Sequence, residues 1–136
     1  MGKFKIYYED TDASWRVYYA NYLKYLERGR TEFLYKLNLK HKYLKDKFNI
    51  IFVVKKCEID FKKPAYFEDI IYVETKIKNF SKIKIVFSQN ILKNKELLLR
   101  SIITIVSVDD NGKIKFIPKK FLNLFWFKNQ NHFVFV

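Results

Sequence analysis

Two apolar periods run along this chain, and the place where one gives way to the other divides it. From about Tyr19 to Leu39, the residues Tyr22, Leu26, Phe33 and Leu37 recur at helical spacing, with Gly29 on the same stripe and Lys24, Arg28, Thr31 and Tyr35 elsewhere. That spacing predicts one long helix. A glycine costs a helix interior roughly 1 kcal/mol relative to alanine, so Gly29 on the stripe predicts another backbone passing close by, as in a sheet wrapped against the helix. Past a basic connection containing His41, the period falls to two. Ile51, Val53, Cys57, Ile59 and Phe61 are expected on one face of a long strand, Lys56, Glu58, Asp60 and Lys62 on the other, with Pro64 ending it.

Two more alternating runs, first Ile71, Val73 and Ile77, then Ile83, Ile85, Phe87 and Ile91, read as half-buried strands joined by a turn around Asn79 to Ser81. The run from Leu97 to Val108 is nearly continuous and β-branched, as in a central strand covered on both sides or set at a subunit interface. Asn111-Gly112 marks a tight hairpin leading into Lys113 to Ile117. At the other end, Lys3 to Tyr8 read as a short strand, and EDTDASWRV as a polar turn before the helix. The sum is an α+β layer architecture: one long central helix packed against one curled antiparallel sheet. Residues 1–120 are assigned to this domain. Residues 121–136, FLNLFWFKNQNHFVFV, form an aromatic tail without clean period, expected to pack on the domain or its assembly or to touch a membrane surface.

Composition narrows the class. With 136 residues, 49% hydrophobic and only three Gly and two Pro, the chain suits one compact domain with a sizeable core. Lys and Arg number 27 against 14 Asp and Glu, a net charge of +13 that favours anionic partners: nucleic acid, anionic lipid, coenzyme phosphates or an acidic carrier protein. Charge alone does not choose among them, and the base composition of the encoding genome explains part of it equally well. The single cysteine, Cys57, has no partner for a disulfide and no Cys or His neighbour at metal-ligand spacing. The start, MGKFKIYYED, lacks the apolar run of a signal peptide, and no segment approaches the ~20 apolar residues of a membrane span. A cytoplasmic, soluble protein is expected, with at most peripheral membrane association.

The candidate chemistry lies at the entry to the helix, where Glu9, Asp10 and Asp12 crowd together. On the residues alone a turn or helix-entry role for Asp12 is the plainer reading. However, YYEDTDA followed by VYYANYLKYLERGRTEFL resembles the hotdog-fold acyl-CoA thioesterases of the 4-hydroxybenzoyl-CoA thioesterase family, especially the branch associated with the bacterial Tol-Pal system. The stretch VVKKCEIDFKKPAYFEDIIYVET is similar to that family's strand, Pro-Ala turn and next strand, and VDDNGKIKFIP to its closing hairpin. The likeness covers roughly Lys5 to Pro118. It implies the hotdog fold, assembly as a homodimer or homotetramer with sites at the subunit boundary, and hydrolysis of an acyl-CoA to a carboxylic acid and CoA. No metal or other cofactor is implied, since CoA belongs to the substrate.

The resemblance also assigns roles. Asp12 matches the family's hydrolytic aspartate, as nucleophile or general base, and the backbone N–H of Tyr19 at the helix start would polarise the carbonyl. Glu9 and Asp10 are read as supporting the loop. Asn21 is a candidate to orient the loop or the ligand, with a local bond to backbone as the plainer role. Four positions depart from the pattern. Ser14-Trp15 replaces Gly-Gly or Ala-Gly, Arg16 stands where a small apolar residue is usual, and Tyr19 replaces the His of the Tol-Pal branch, although 4-hydroxybenzoyl-CoA enzymes also carry Tyr there. Trp15 would then contact substrate, narrowing the acyl pocket, alter the loop, or abolish turnover.

His41 and His132 lie outside the motif and read as surface or packing residues. Lys82 and Lys84 near a strand end are not assigned to the coenzyme phosphates, because a solvated strand face accounts for them as well. Beside the enzyme stand two other readings: a non-catalytic protein that binds acyl thioesters or an acyl carrier protein, and a nucleic-acid binder. The last rests only on charge and aromatic content, with no recognised motif, and no specific nucleic-acid partner is expected.

Overall fold

The computed structural model describes the backbone of residues 1–134 and the side chains through residue 129, so the His132 side chain lies outside the described residues. Five strands, β1 (Gly2–Lys5), β2 (Ile51–Phe61), β3 (Ile70–Phe80), β4 (Lys84–Lys93) and β5 (Glu96–Val108), form one sheet in the order β1-β3-β4-β5-β2. Every pairing is antiparallel. Helix α1 (Tyr22–Lys36) lies across one face, burying Tyr22, Tyr25, Leu26, Gly29, Arg30 and Leu34. This is the helix-on-sheet arrangement that the periodicities predict.

Gly29 is where the two layers come closest. A Cβ there would stand 2.5 Å from Val73 Cγ1 and 3.0 Å from Gln89 Nε2, so the crowding comes from side chains of β3 and β4 rather than from a passing backbone. Gln89 is fully buried; its Nε2 donates to Leu26 O and Thr75 Oγ1, and its Oε1 accepts from Arg30, which ties sheet to helix. β5 is interior, between β4 and β2, but it is not covered on both sides: Leu99, Ser101, Ile103, Ile105 and Ser107 are buried on the helix side, whereas on the other face Arg100 is exposed and Ile102, Thr104 and Val106 are half-buried.

Several expected boundaries shift. β1 stops at Lys5 because Tyr8–Asp10 turn into a short 3₁₀ segment, drawn in by the Tyr7 amide donating to Asp10 Oδ2. The helix begins as a 3₁₀ turn at Tyr19–Asn21 and becomes α at Tyr22, then ends before Asn38, whose φ of 62° is left-handed. The basic connection after it is a second helix, α2 (His41–Phe48), with Leu44 buried and Asn49 at φ 52° closing it. In β2 the register slips between Val54 and Lys56, so Val54 faces the same side as Cys57, Ile59 and Phe61. Ile51 and Val53 therefore do not share that face, because one extra residue inverts the alternation. The Asn111-Gly112 turn forms, held by amides of Asn111 and Lys113 donating to Asp109 Oδ1, but the return makes only a single bridge, Ile114 to Val108. No strand follows there. The tail is helical: α3 runs Lys119–Val134, with Phe121 and Phe125 buried in the main core. Among the described residues no helix is long and apolar enough to cross a membrane.

Candidate active site

The loop between β1 and α1 is pinned from three sides. Thr11 and Val17 bridge its two limbs, Val17 N–H donates to Ala65 O at 2.9 Å, and Phe67 N–H donates to Trp15 O at 2.9 Å. The Pro64-Ala65 turn is in turn fixed to the helix, since the Ala65 amide donates to the Tyr22 hydroxyl at 3.0 Å. Loop, turn and helix start thus form one rigid corner.

Asp10 is the hub of this corner. It is 4% exposed and accepts bonds from the Tyr25 hydroxyl at 2.6 Å and from Lys24 Nζ at 2.5 Å, while its carbonyl accepts from the Asn21 side chain at 2.8 Å and the Tyr18 amide at 3.0 Å. Burial alone would push its carboxyl up. The bonds from Lys24 and Tyr25 outweigh that and hold it below the usual carboxylate range, while burial and the same contact push the Tyr25 phenol up. The Asn21 side chain is thus committed to backbone, in the local role that its residue type suggests.

Asp12 sits at the tip. Its amide donates to Arg16 O and its carbonyl accepts from Trp15 N–H at 3.0 Å, making a tight turn in which Trp15 takes the left-handed conformation at φ 67°. A three-residue hairpin loop ordinarily places glycine at this point, which gives a physical reason for a small residue in the motif. Trp15 occupies it by standing its indole edge-on to Phe67, centroids 5.6 Å apart, and remains 58% exposed. Asp12 Oδ1 accepts from Ser14 N–H at 2.8 Å and Ser14 Oγ at 2.5 Å. These bonds, with a weaker pull from Arg16, hold the carboxyl below its usual range. No bond among the described residues engages Oδ2.

Asp12 and Tyr19 line the same open cleft, of ≈ 410 Å³, with Tyr18, Tyr22 and Phe61 as aromatic walls and Arg16, Lys62 and Lys63 as its cationic part. The amides of Tyr19 and Ala20 donate no hydrogen bond among the described residues, which leaves them at the positive end of the helix dipole. Asp12, Tyr19 and Arg16 therefore line one surface together with Lys62 and Lys63, which are ion-paired to Asp60 and Glu96 at 2.6 and 2.8 Å. Trp15 is not a lining residue of this cleft. His41 lies on α2 beside Thr31 and Phe52, and Lys82 borders a separate groove with Phe116 and Trp126. Arg16, Lys62 and Lys63 escape the sequence reading as ligands; the Lys-Lys pair directly before the Pro-Ala turn was the available signal. Among the described residues no group of three His, Cys, Asp or Glu side chains is placed to hold a metal.

A long helix laid over a five-stranded antiparallel sheet is the hotdog arrangement. The chain belongs to the thioesterase-like superfamily, which matches residues 7–125. It is 38% identical over 111 residues to the acyl-CoA thioesterase YbgC of Haemophilus influenzae, covering 82% of this chain and 81% of that one. To the acyl-CoA thioester hydrolase YbgC of Escherichia coli O6:H1 it is 33% identical, covering 82% of each. A probable thioesterase from Bartonella henselae has a similar crystal structure, with a TM-score of 0.83 and 30% identity, covering 86% of this chain and 97% of that one.

Proposed function

We propose that the chain is an acyl-CoA thioesterase in which Asp12 works on the thioester carbonyl while the Tyr19 amide polarises it. The observation that carries this reading is the shared cleft: Asp12, held below the usual carboxylate range with no bond to Oδ2 among the described residues, lines the same cleft as Tyr19, whose helix-start amide is unpaired there. As nucleophile, Asp12 Oδ2 would attack the carbonyl carbon, and the tetrahedral oxyanion would collapse to expel the CoA thiolate and leave a mixed anhydride for water to cleave. As general base, it would take the proton of an attacking water, with the same thiolate leaving. Label from water appearing in the Asp12 carboxylate after many turnovers would establish the anhydride route with attack at the aspartyl carbon, since general-base hydrolysis and attack at the acyl carbon both send the label to the released acid. Arg16, Lys62 and Lys63 suit the coenzyme phosphates, or the acidic surface of an acyl carrier protein presenting the same thioester.

The site is read as completed by a second copy. β2 is an edge strand, with Val53, Val54 and Phe61 between 40% and 51% exposed, and Phe61 ends in the cleft. Edge pairing would cover this apolar strand and close the cleft beside it. The YYEDTDA and ANY segments favour the Tol-Pal branch, against which stands Tyr19 in place of that branch's His.

The test is thiol release from short, long and aromatic acyl-CoA substrates, with the assembly state followed by light scattering. Turnover of at least one class by a dimer or larger assembly is expected. A folded assembly that leaves all of them intact, while binding them by calorimetry, would make this a non-catalytic thioester-binding protein.

A further inference from the structure

The geometry points to a second functional surface: we infer that α3 and the segment leading into it dock on anionic lipid bilayers. α3 is apolar on both sides. Phe121 and Phe125 enter the core, whereas Trp126 and Phe127 stand 52% and 59% exposed on the opposite side, their rings 5.4 Å apart. Lys119 lies seven residues before Trp126 and lines the same groove, whereas the Lys120 ammonium stands over the Phe48 and Phe121 rings. Beside it Ile114 and Phe116 are 63% and 66% exposed, and Trp126, Phe116 and Leu122 line a groove of ≈ 600 Å³ edged by Lys82 and Lys119.

Charge selects the occupant. From Gly112 to the end of the chain there are five lysines and no Asp or Glu. A second copy on this face would set lysine against lysine with no acid in this segment to pair them. Anionic headgroups meet those lysines directly, and an indole and phenyl side by side fit the boundary between headgroups and acyl chains, where large amphipathic rings collect. Lysine stems extend across such a boundary while their ammonium groups stay in water. The surface shares no lining residue with the Asp12 cleft, and the inference does not rest on hydrolysis.

Flotation of the full chain with vesicles tests it. Vesicles of phosphatidylcholine and phosphatidylglycerol in equal parts should carry the protein, less so as salt rises, and pure phosphatidylcholine should not. Trp126→Ser/Phe127→Ser and, independently, Lys82→Glu/Lys119→Glu should each lower partitioning about tenfold or more, with thermal unfolding and circular dichroism unchanged. In a Trp15→Phe background the remaining indole emission should shift to the blue on binding. Failure to float with anionic vesicles overturns the inference, as does equal flotation of both double variants. So does a homodimer that Trp126→Ser/Phe127→Ser dissociates, or binding to an acidic carrier protein through this face without binding to vesicles.

Discussion

Two carboxylates two residues apart occupy opposite environments. Around Asp10 every acceptor is used: a buried carboxylate meets a lysine, a tyrosine and a backbone amide, and its own carbonyl gathers Asn21 and Tyr18. Around Asp12 one oxygen is tied to Ser14, the other has no partner among the described residues, and the residue lines a cleft. Both are held below the usual carboxylate range, so a depressed pKa does not distinguish them. Access does. The buried acid fixes the corner that aims the exposed one, and a catalytic carboxylate must keep an oxygen for the substrate.

The largest way to break this comparison is Asp12→Asn. Thiol release should fall about 10²–10⁴-fold, the usual range for a positioned acid-base group, while thermal unfolding stays unchanged because the side chain is exposed. Equal activity in the variant would transfer the chemistry elsewhere.

Asp10→Asn should show the converse. It removes the charged partner of Lys24 and Tyr25 in a buried setting, and a loss of about 2–3 kcal/mol in denaturant unfolding is expected. The pH dependence has a definite sign. Because the folded pKa is lowered, the Asp10 contribution is present above the unfolded value of about 3.9 and disappears as pH falls through the folded one. The Asn variant should lack that part of the acid slope. Activity should drop only as far as the loop loosens.

How much of this was legible in the sequence follows from which interactions are local. The α1 stripe was, because Tyr22, Leu26 and Gly29 repeat at the helical period whatever they pack against. The β2 face was not: Val53 and Val54 are both apolar, so the alternation reads equally well with or without the extra residue that inverts it. α2 carries a single buried residue, Leu44, amid charges, and α3 puts aromatics on both faces, so neither shows a clean period. At the site, Asp12 and Tyr19 stood out only through the motif's resemblance. Lys62 and Lys63 reach the cleft through the Val17–Ala65 bond, a contact between segments nearly fifty residues apart that no local pattern encodes. The hub role of Asp10 required Lys24 and Tyr25 to arrive on the first turn of a helix whose start the sequence placed three residues early.

A smaller effect sharpens the Asp12 side. Ser14→Ala removes the hydroxyl that is the main cause of the lowered Asp12 pKa, leaving only the amide bond and Arg16. The acid limb of kcat/KM should therefore move upward toward the ordinary carboxylate range, with the plateau at neutral pH changed little. An unmoved limb would mean that another group sets it.

The smallest expected effect concerns Trp15, and it is informative because two terms nearly cancel. A left-handed conformation costs an L-residue about 1–2 kcal/mol, which Trp15→Gly relieves. Against that, glycine loosens the unfolded chain by about 0.5–1 kcal/mol, and the edge-on contact with Phe67, worth about 0.5–1.5 kcal/mol, is lost. Trp15→Gly should thus change stability by no more than about 1.5 kcal/mol, while Trp15→Ala, which keeps the strain and loses the ring, should be the less stable of the two. Because the indole does not line the cleft, thiol release in both should stay within a few-fold of the parent chain. A gain of tenfold or more in the glycine variant alone would instead show that backbone freedom at this turn, rather than the ring, governs how closely Asp12 approaches the thioester.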